Sequence, residues 1–171
     1  MAPDRSVATG HGNAFSTSFL AAPALVVLRV TLGWVFFYGG ITKVTDPTWT
    51  AAGYLENAVP AGNPFSTLWP TLATIPAVDL LVQWGLTLTG LCLLLGAFVR
   101  WSALWASAMM AMFWASSLPL SNGILVDQHI IYILALGCLS AFGAGRIAGL
   151  DAKLEQSAVA AEHRWLRYLL G

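Results

Sequence analysis

The chain has 171 residues, of which 57% are hydrophobic and 9% charged, and its mean hydropathy is +0.71. Soluble domains carry about 25% charged residues, so this composition excludes an ordinary soluble domain. Disorder and nucleic-acid binding are excluded with it: eight basic residues balance eight acidic ones, and no basic block is present.

Residues 1–18 are polar and rich in Gly, Ser and Thr, which predicts a disordered lead-in with no cleavable signal peptide. Four apolar runs follow, at 19–41, 76–99, 101–118 and 129–148. Each is long enough to cross about 30 Å of hydrocarbon at 1.5 Å per residue. The expected fold is therefore an all-α integral membrane protein, a four-transmembrane-helix bundle over 19–150 whose first run serves as an uncleaved anchor.

The connector 42–75 holds two helix-start signals, Asp46-Pro47 and Asn63-Pro64, each an N-cap residue followed by proline. They predict two short helices at the outer interface, over 48–58 and 65–73, rich in Trp and Tyr. These form either a lid over the bundle or a plain membrane-anchored connector. Arg100 leaves almost no loop between the second and third runs, which makes those helices tight antiparallel neighbours. Asp127 is placed to cap the fourth run, and glycines 143, 145 and 149 end it. Apolar residues recur at helical spacing over 151–171, from Leu154 to Leu169, predicting an amphipathic helix on the inner surface or against a partner.

Charge placement gives the orientation. With the N-terminus inside, Arg5, Arg100, Arg146, Lys153, Arg164 and Arg167 fall on the inner side and only Lys43 on the outer. The expectation is a multi-pass protein of the plasma membrane with both termini cytoplasmic.

Within the apolar body, Arg29 lies near the middle of the first run, where a charge costs at least about 2.5 kcal/mol. It shares a face with Gly33, Gly40 and Lys43. Two roles are open to it: donating to a buried carbonyl-bearing ligand such as a quinone, or bonding structurally to neighbouring helices. A second group gathers near the outer boundary: Lys43, Asp79, Gln83, Asp127, His129 and Tyr132. A histidine beside an acid and a tyrosine suits proton transfer near neutral pH, although Asp127 serves equally as a helix cap and His129 as an interfacial residue. Most of the eight tryptophans lie near predicted boundaries, an aromatic belt. Trp84 and Trp114 sit deeper and could line a pocket. Cys92 and Cys138 lie singly in apolar runs and are expected as small buried hydrophobes. There is no haem, flavin, Fe–S or metal signature.

Several stretches together resemble a known family. They are Leu28-Arg29 to Gly33, Phe37-x-x-Gly40 with Lys43, Trp84-Gly85-Leu86, Gly90 to Gly96 with Arg100, Asp127-Gln128-His129 to Tyr132, and Gly143-Ala144-Gly145-Arg146. The chain resembles the DoxX family of small four-span membrane proteins, and within it the DoxD-like group, named for the membrane subunit of a thiosulfate:quinone oxidoreductase. The resemblance implies a quinone-linked redox subunit, with a quinone as cofactor, Arg29 near a quinone oxygen, and His129 and Asp127 handling protons. It equally implies a non-catalytic scaffold or accessory subunit of a membrane complex; a small transporter is a distant third. The partners implied are the lipid membrane and a homo-oligomer or larger complex.

Overall fold

A computed structural model describes residues 15–121 and 123–171, and all of its regular elements are helices. Residues 1–14 of the expected lead-in lie outside the described residues. Helix α1 runs Phe15–Thr45, so it starts inside the segment expected to be disordered. Two short helices follow, α2 (Ala52–Asn57) and α3 (Leu68–Ala73). Then come α4 (Pro76–Leu95), α5 (Val99–Ser116) and α6 (Gln128–Ala141). The chain ends in α7 (Asp151–Glu155), α8 (Ala158–Glu162) and a 3-10 turn at Arg164–Tyr168.

The four long helices pack in sequence: α1 along α4, α4 against α5, α5 along α6, with α6 returning to touch α1. Their core is Leu32, Phe36, Leu93, Ala106, Leu136 and Leu139 with their neighbours. The α1–α4 seam is built from small residues. A Cβ added at Gly40 would strike the backbone of Thr87, and one at Gly90 the backbone of Phe37, so the two helices approach at backbone distance. Large apolar side chains point away from this core on every long helix, among them Trp34, Leu81, Leu88, Leu104 and Leu134. Such a belt is unfavourable in water and suits hydrocarbon.

Two segments, Leu20–Thr45 within α1 and α4 itself, are long and apolar enough to cross a membrane. The fourth apolar run departs from expectation. Its helix ends at Ala141 after 14 residues, not at 148. The reason is local: Gly143 turns the backbone at φ +63°, and the carbonyls that follow are drawn to Arg29. The C-terminal stretch is likewise three short pieces, where one amphipathic helix was predicted. Asp151, fully buried, anchors it by accepting from the N–H groups of Phe98 (2.6 Å), Val99 (3.1 Å) and Gly171 (2.9 Å). Its carboxylate thus caps α5, whose own cap residue Phe98 offers no side-chain acceptor. The turn between α4 and α5 is as tight as the position of Arg100 predicts. Cys138 is exposed on α6, and Cys92 is half-buried.

Candidate functional site

The connector folds over one end of the long helices, the end expected to face outward, and forms a half-open cavity of about 450 Å³. Its roof is Trp49, Tyr54, Leu55, Trp69 and Leu72; its walls are Val78 and Val82 of α4 with Met112, Phe113 and Ser116 of α5. Lys43 enters from α1 and His129 from α6, the two lining residues that carry a basic side chain. This size and lining, apolar with few convergent polar groups, match small-molecule pockets generally.

The roof is held by polar side chains that the sequence offered as ordinary caps. Asn63 is 4% exposed. Its Nδ2 donates to the carbonyls of Ala115 (2.9 Å), Ser116 (3.1 Å) and Leu118 (2.8 Å), which lie at and just beyond the outer end of α5. Its Oδ1 accepts from Phe65 N–H (2.8 Å) and from the indole of Trp69 (2.9 Å). So Asn63 does cap a local turn, but α3 starts only at Leu68, and the larger role is latching roof to bundle. Asp46 similarly closes a turn on Thr48, while α2 starts only at Ala52.

Asp79 supplies the second tie, accepting from Ala51 N–H at 2.8 Å next to the start of α2. Tyr54 Oη lies 3.4 Å from Ser116 Oγ. Lys43 Nζ donates to Gly39 O (2.9 Å) and sits 5.5 Å from the ring centroid of Trp49, a cation–π contact inside the cavity.

Asp127 and His129 form one unit. Asp127 Oδ1 accepts from the backbone N–H groups of His129 (3.0 Å) and Ile130 (3.3 Å), the N-cap role predicted for it. Its Oδ2 lies 2.6 Å from His129 Nδ1. The imidazole edge rests against Phe113, ring centroids 6.1 Å apart. Burial pushes the Asp127 carboxyl up, but the His129 side chain, the backbone N–H donors and the charge on His129 outweigh it and hold it below the ordinary carboxylate range. A depressed folded value means that the ionised form contributes stability at pH above the unfolded value of about 3.9. That contribution disappears as pH falls through the lower folded value. Thermal melts between pH about 5 and 3 are therefore expected to show an acid-side loss of stability that Asp127→Asn reduces.

The remaining expected residues fall elsewhere. Tyr132 packs edge-on against Phe36, centroids 5.9 Å apart, one turn beyond His129. Gln83 is half-buried on α4, one turn outward of Thr87 on the seam face. Trp84 is 45% exposed on the outside of α4. Trp114 donates its indole N–H to Leu125 O (3.0 Å). Neither lines the cavity, whose indoles are those of Trp49 and Trp69.

Arg29 stands apart from this outer group. Fourteen residues of helix separate it from Lys43, about 21 Å. It is 2% exposed, and its guanidinium donates to Ala144 O, Ile147 O (2.9 Å) and Ala148 O (3.1 Å). It is level with the C-cap of α4: a Cβ on Gly96 would lie 2.7 Å from Nη1, and one on Gly149 2.8 Å from it. Arg29 is thus at the middle of α1 but at the end of the other long helices that lies away from the cavity.

Comparison with known proteins gives one family. The DoxX family model matches residues 24–117, more than half of the chain and every cavity-lining residue except His129. No curated protein and no solved structure matches the chain. The chain belongs to the DoxX family, membrane proteins associated with redox and quinone-related functions.

Proposed function

We propose that this chain is the membrane subunit of a quinone-linked redox system, akin to the DoxD-like group, and that the roofed outer cavity holds the quinone ring. The cavity carries the reading: about 450 Å³ of apolar space roofed by two indoles, with a cation and an imidazole as its basic groups. A bound quinone would supply two-electron, two-proton redox chemistry. Lys43 would hold one ring oxygen electrostatically, and Trp49 and Trp69 would stack on the ring face. His129, oriented by Asp127, would exchange a proton with a ring oxygen. Asp79 and Gln83 would fix the roof and the outer α1–α4 seam, and Tyr132 would back His129.

In the same proposal α1, α4, α5 and α6 all cross the plasma membrane, with both termini cytoplasmic, as the six inner basic residues favour. Because the sequence has no haem, flavin or Fe–S signature, electrons reach the site through a partner subunit or directly from a substrate.

Binding tests this. The full chain in lipid nanodiscs, titrated with a short-chain quinone, is expected to show saturable quenching of tryptophan fluorescence. Val82→Phe, which fills the cavity, is expected to weaken binding about tenfold, or 1.4 kcal/mol. Leu88→Phe, on the lipid-facing side of α4, is expected to leave it unchanged. No saturable binding by the parent chain would overturn the reading and favour an accessory subunit.

A further inference from the structure

We infer that the Asp127–His129 pair is a proton conduit joining the roofed cavity to a separate polar groove, and that the cavity ligand carries an exchangeable ring hydroxyl. This rests on the reading that the cavity holds a ring ligand.

The second space is an open groove of about 770 Å³ lined by Ser117, Pro119, Ser121, Gln128, Asp127 and His129. Lys43 faces the apolar cavity only, and Asp127 the groove only; among the titratable residues lining either space, His129 alone lines both. Ser117 also lines both, but its hydroxyl donates to Phe113 O (2.8 Å), so the imidazole is the shared side chain that offers a proton-accepting nitrogen.

The geometry sets the direction of each bond. An ionised carboxylate only accepts, so the 2.6 Å contact puts the proton of neutral His129 on Nδ1. Nε2, at the far edge of the ring, keeps its lone pair. A ligand hydroxyl can give its proton to Nε2 while Nδ1 passes one to Asp127 Oδ2 and on to water in the groove, which leaves the proton of the ring on Nε2; from that tautomer the reverse order carries a proton inward and restores Nδ1–H. One proton enters and one leaves, and no electron moves.

The other titratable groups at this end of the helices have partners of their own. Asp79 of α4 is bonded to Ala51 N–H, Tyr54 of α2 lies against Ser116, Tyr132 lies against Phe36, and Lys43 of α1 donates to Gly39 O. The two bonds from Asp127 Oδ1 to the backbone hold its carboxylate rigid, so the pair is aligned before any ligand arrives.

The test uses the full chain in nanodiscs without oxygen, 2,6-dichlorohydroquinone as probe and its dimethyl ether as a control lacking exchangeable protons. A pH-indicator dye follows the bulk solution at a pH where the free hydroxyl is protonated. Binding of the hydroquinone is expected to release about one proton, and binding of the ether none. Asp127→Asn, which keeps an N-cap acceptor, is expected to preserve the amount of release but slow it at least about tenfold. His129→Gln is expected to abolish the release while still binding the ether. Hydroquinone binding without proton release, or an unchanged rate in Asp127→Asn, would overturn the conduit and leave the cavity reading standing. Failure of both probes to bind the parent chain would overturn the cavity reading, and the conduit with it.

Discussion

Arg29→Ala is expected to destabilise the folded chain by about 3–5 kcal/mol, the range for removing one partner of a buried charged arrangement. The carbonyls of Ala144, Ile147 and Ala148 converge on the guanidinium in a region where water cannot replace it. Each carbonyl left unpaired costs about 1–3 kcal/mol. Asp151, anchored on the N-terminus of α5, supplies a negative charge that interacts with Arg29. Loss of the clamp frees residues 143–150 and then the C-terminal pieces.

Arg29→Lys is expected to recover only part of the stability, because one ammonium cannot reproduce the planar fork that reaches three acceptors. Gly96→Ala should act on the same clamp from the other side, since its φ of +65° strains any side chain and its Cβ would meet Nη1. Thermal melts and limited proteolysis within 143–150 measure these effects. Short-chain quinone affinity at the outer cavity is expected to stay within about twofold in Arg29→Lys, because about 21 Å of helix intervenes. A large loss of affinity in a variant that remains folded would give Arg29 a role in ligand binding instead.

The sequence made much of the frame legible. Apolar run lengths located the four long helices, and the Asp127 cap, the tight α4–α5 turn and the burial of Arg29 were all readable from local chemistry. The depth of Arg29 was not. It lies at the centre of α1, but its surroundings depend on the stagger between α1 and α4, which is set by interlocking of Gly33, Gly40 and Gly90 across the seam. That register is a property of two surfaces meeting.

The same limit hid the cavity lining. Trp84 and Trp114 were deep in their runs, but depth along a helix does not say which way it faces, and α4 turns Trp84 outward. Trp49 and Trp69 looked like interfacial tryptophans because the roof has the composition of an interfacial segment. Asp151 carried no local signal at all, since its acceptor role is met by N–H groups more than 50 residues earlier in the chain. The fourth helix stopped short for a related reason: its last expected turn is consumed by a tertiary contact to Arg29, which overrides the run's own apolar length.

Asn63 is where that limit has its largest consequence for the site. Asn63→Ala is expected to destabilise the chain by about 2–4 kcal/mol and to open the cavity roof. One buried amide donates to three carbonyls at the outer end of α5 and accepts from two N–H groups of the roof. It is therefore the polar junction through which Trp69 is held over the cavity. Truncation strands donors and acceptors on both sides, and the methyl group left behind fills none of the vacated space. Asn63→Asp is expected to fare no better. Its carboxylate could still accept from Phe65 and Trp69 but would face three carbonyl oxygens with no donor to offer. A red shift and increased acrylamide quenching of tryptophan emission would report exposure of Trp69. Short-chain quinone binding is expected to weaken about tenfold or more as the stacking indole loses its position. Asp79→Ala removes only the single bond to Ala51 and is expected to produce the same changes to a smaller degree. If Asn63→Ala left both the emission and the binding unchanged, the roof would be held by its apolar contacts alone and the latch would have no functional part.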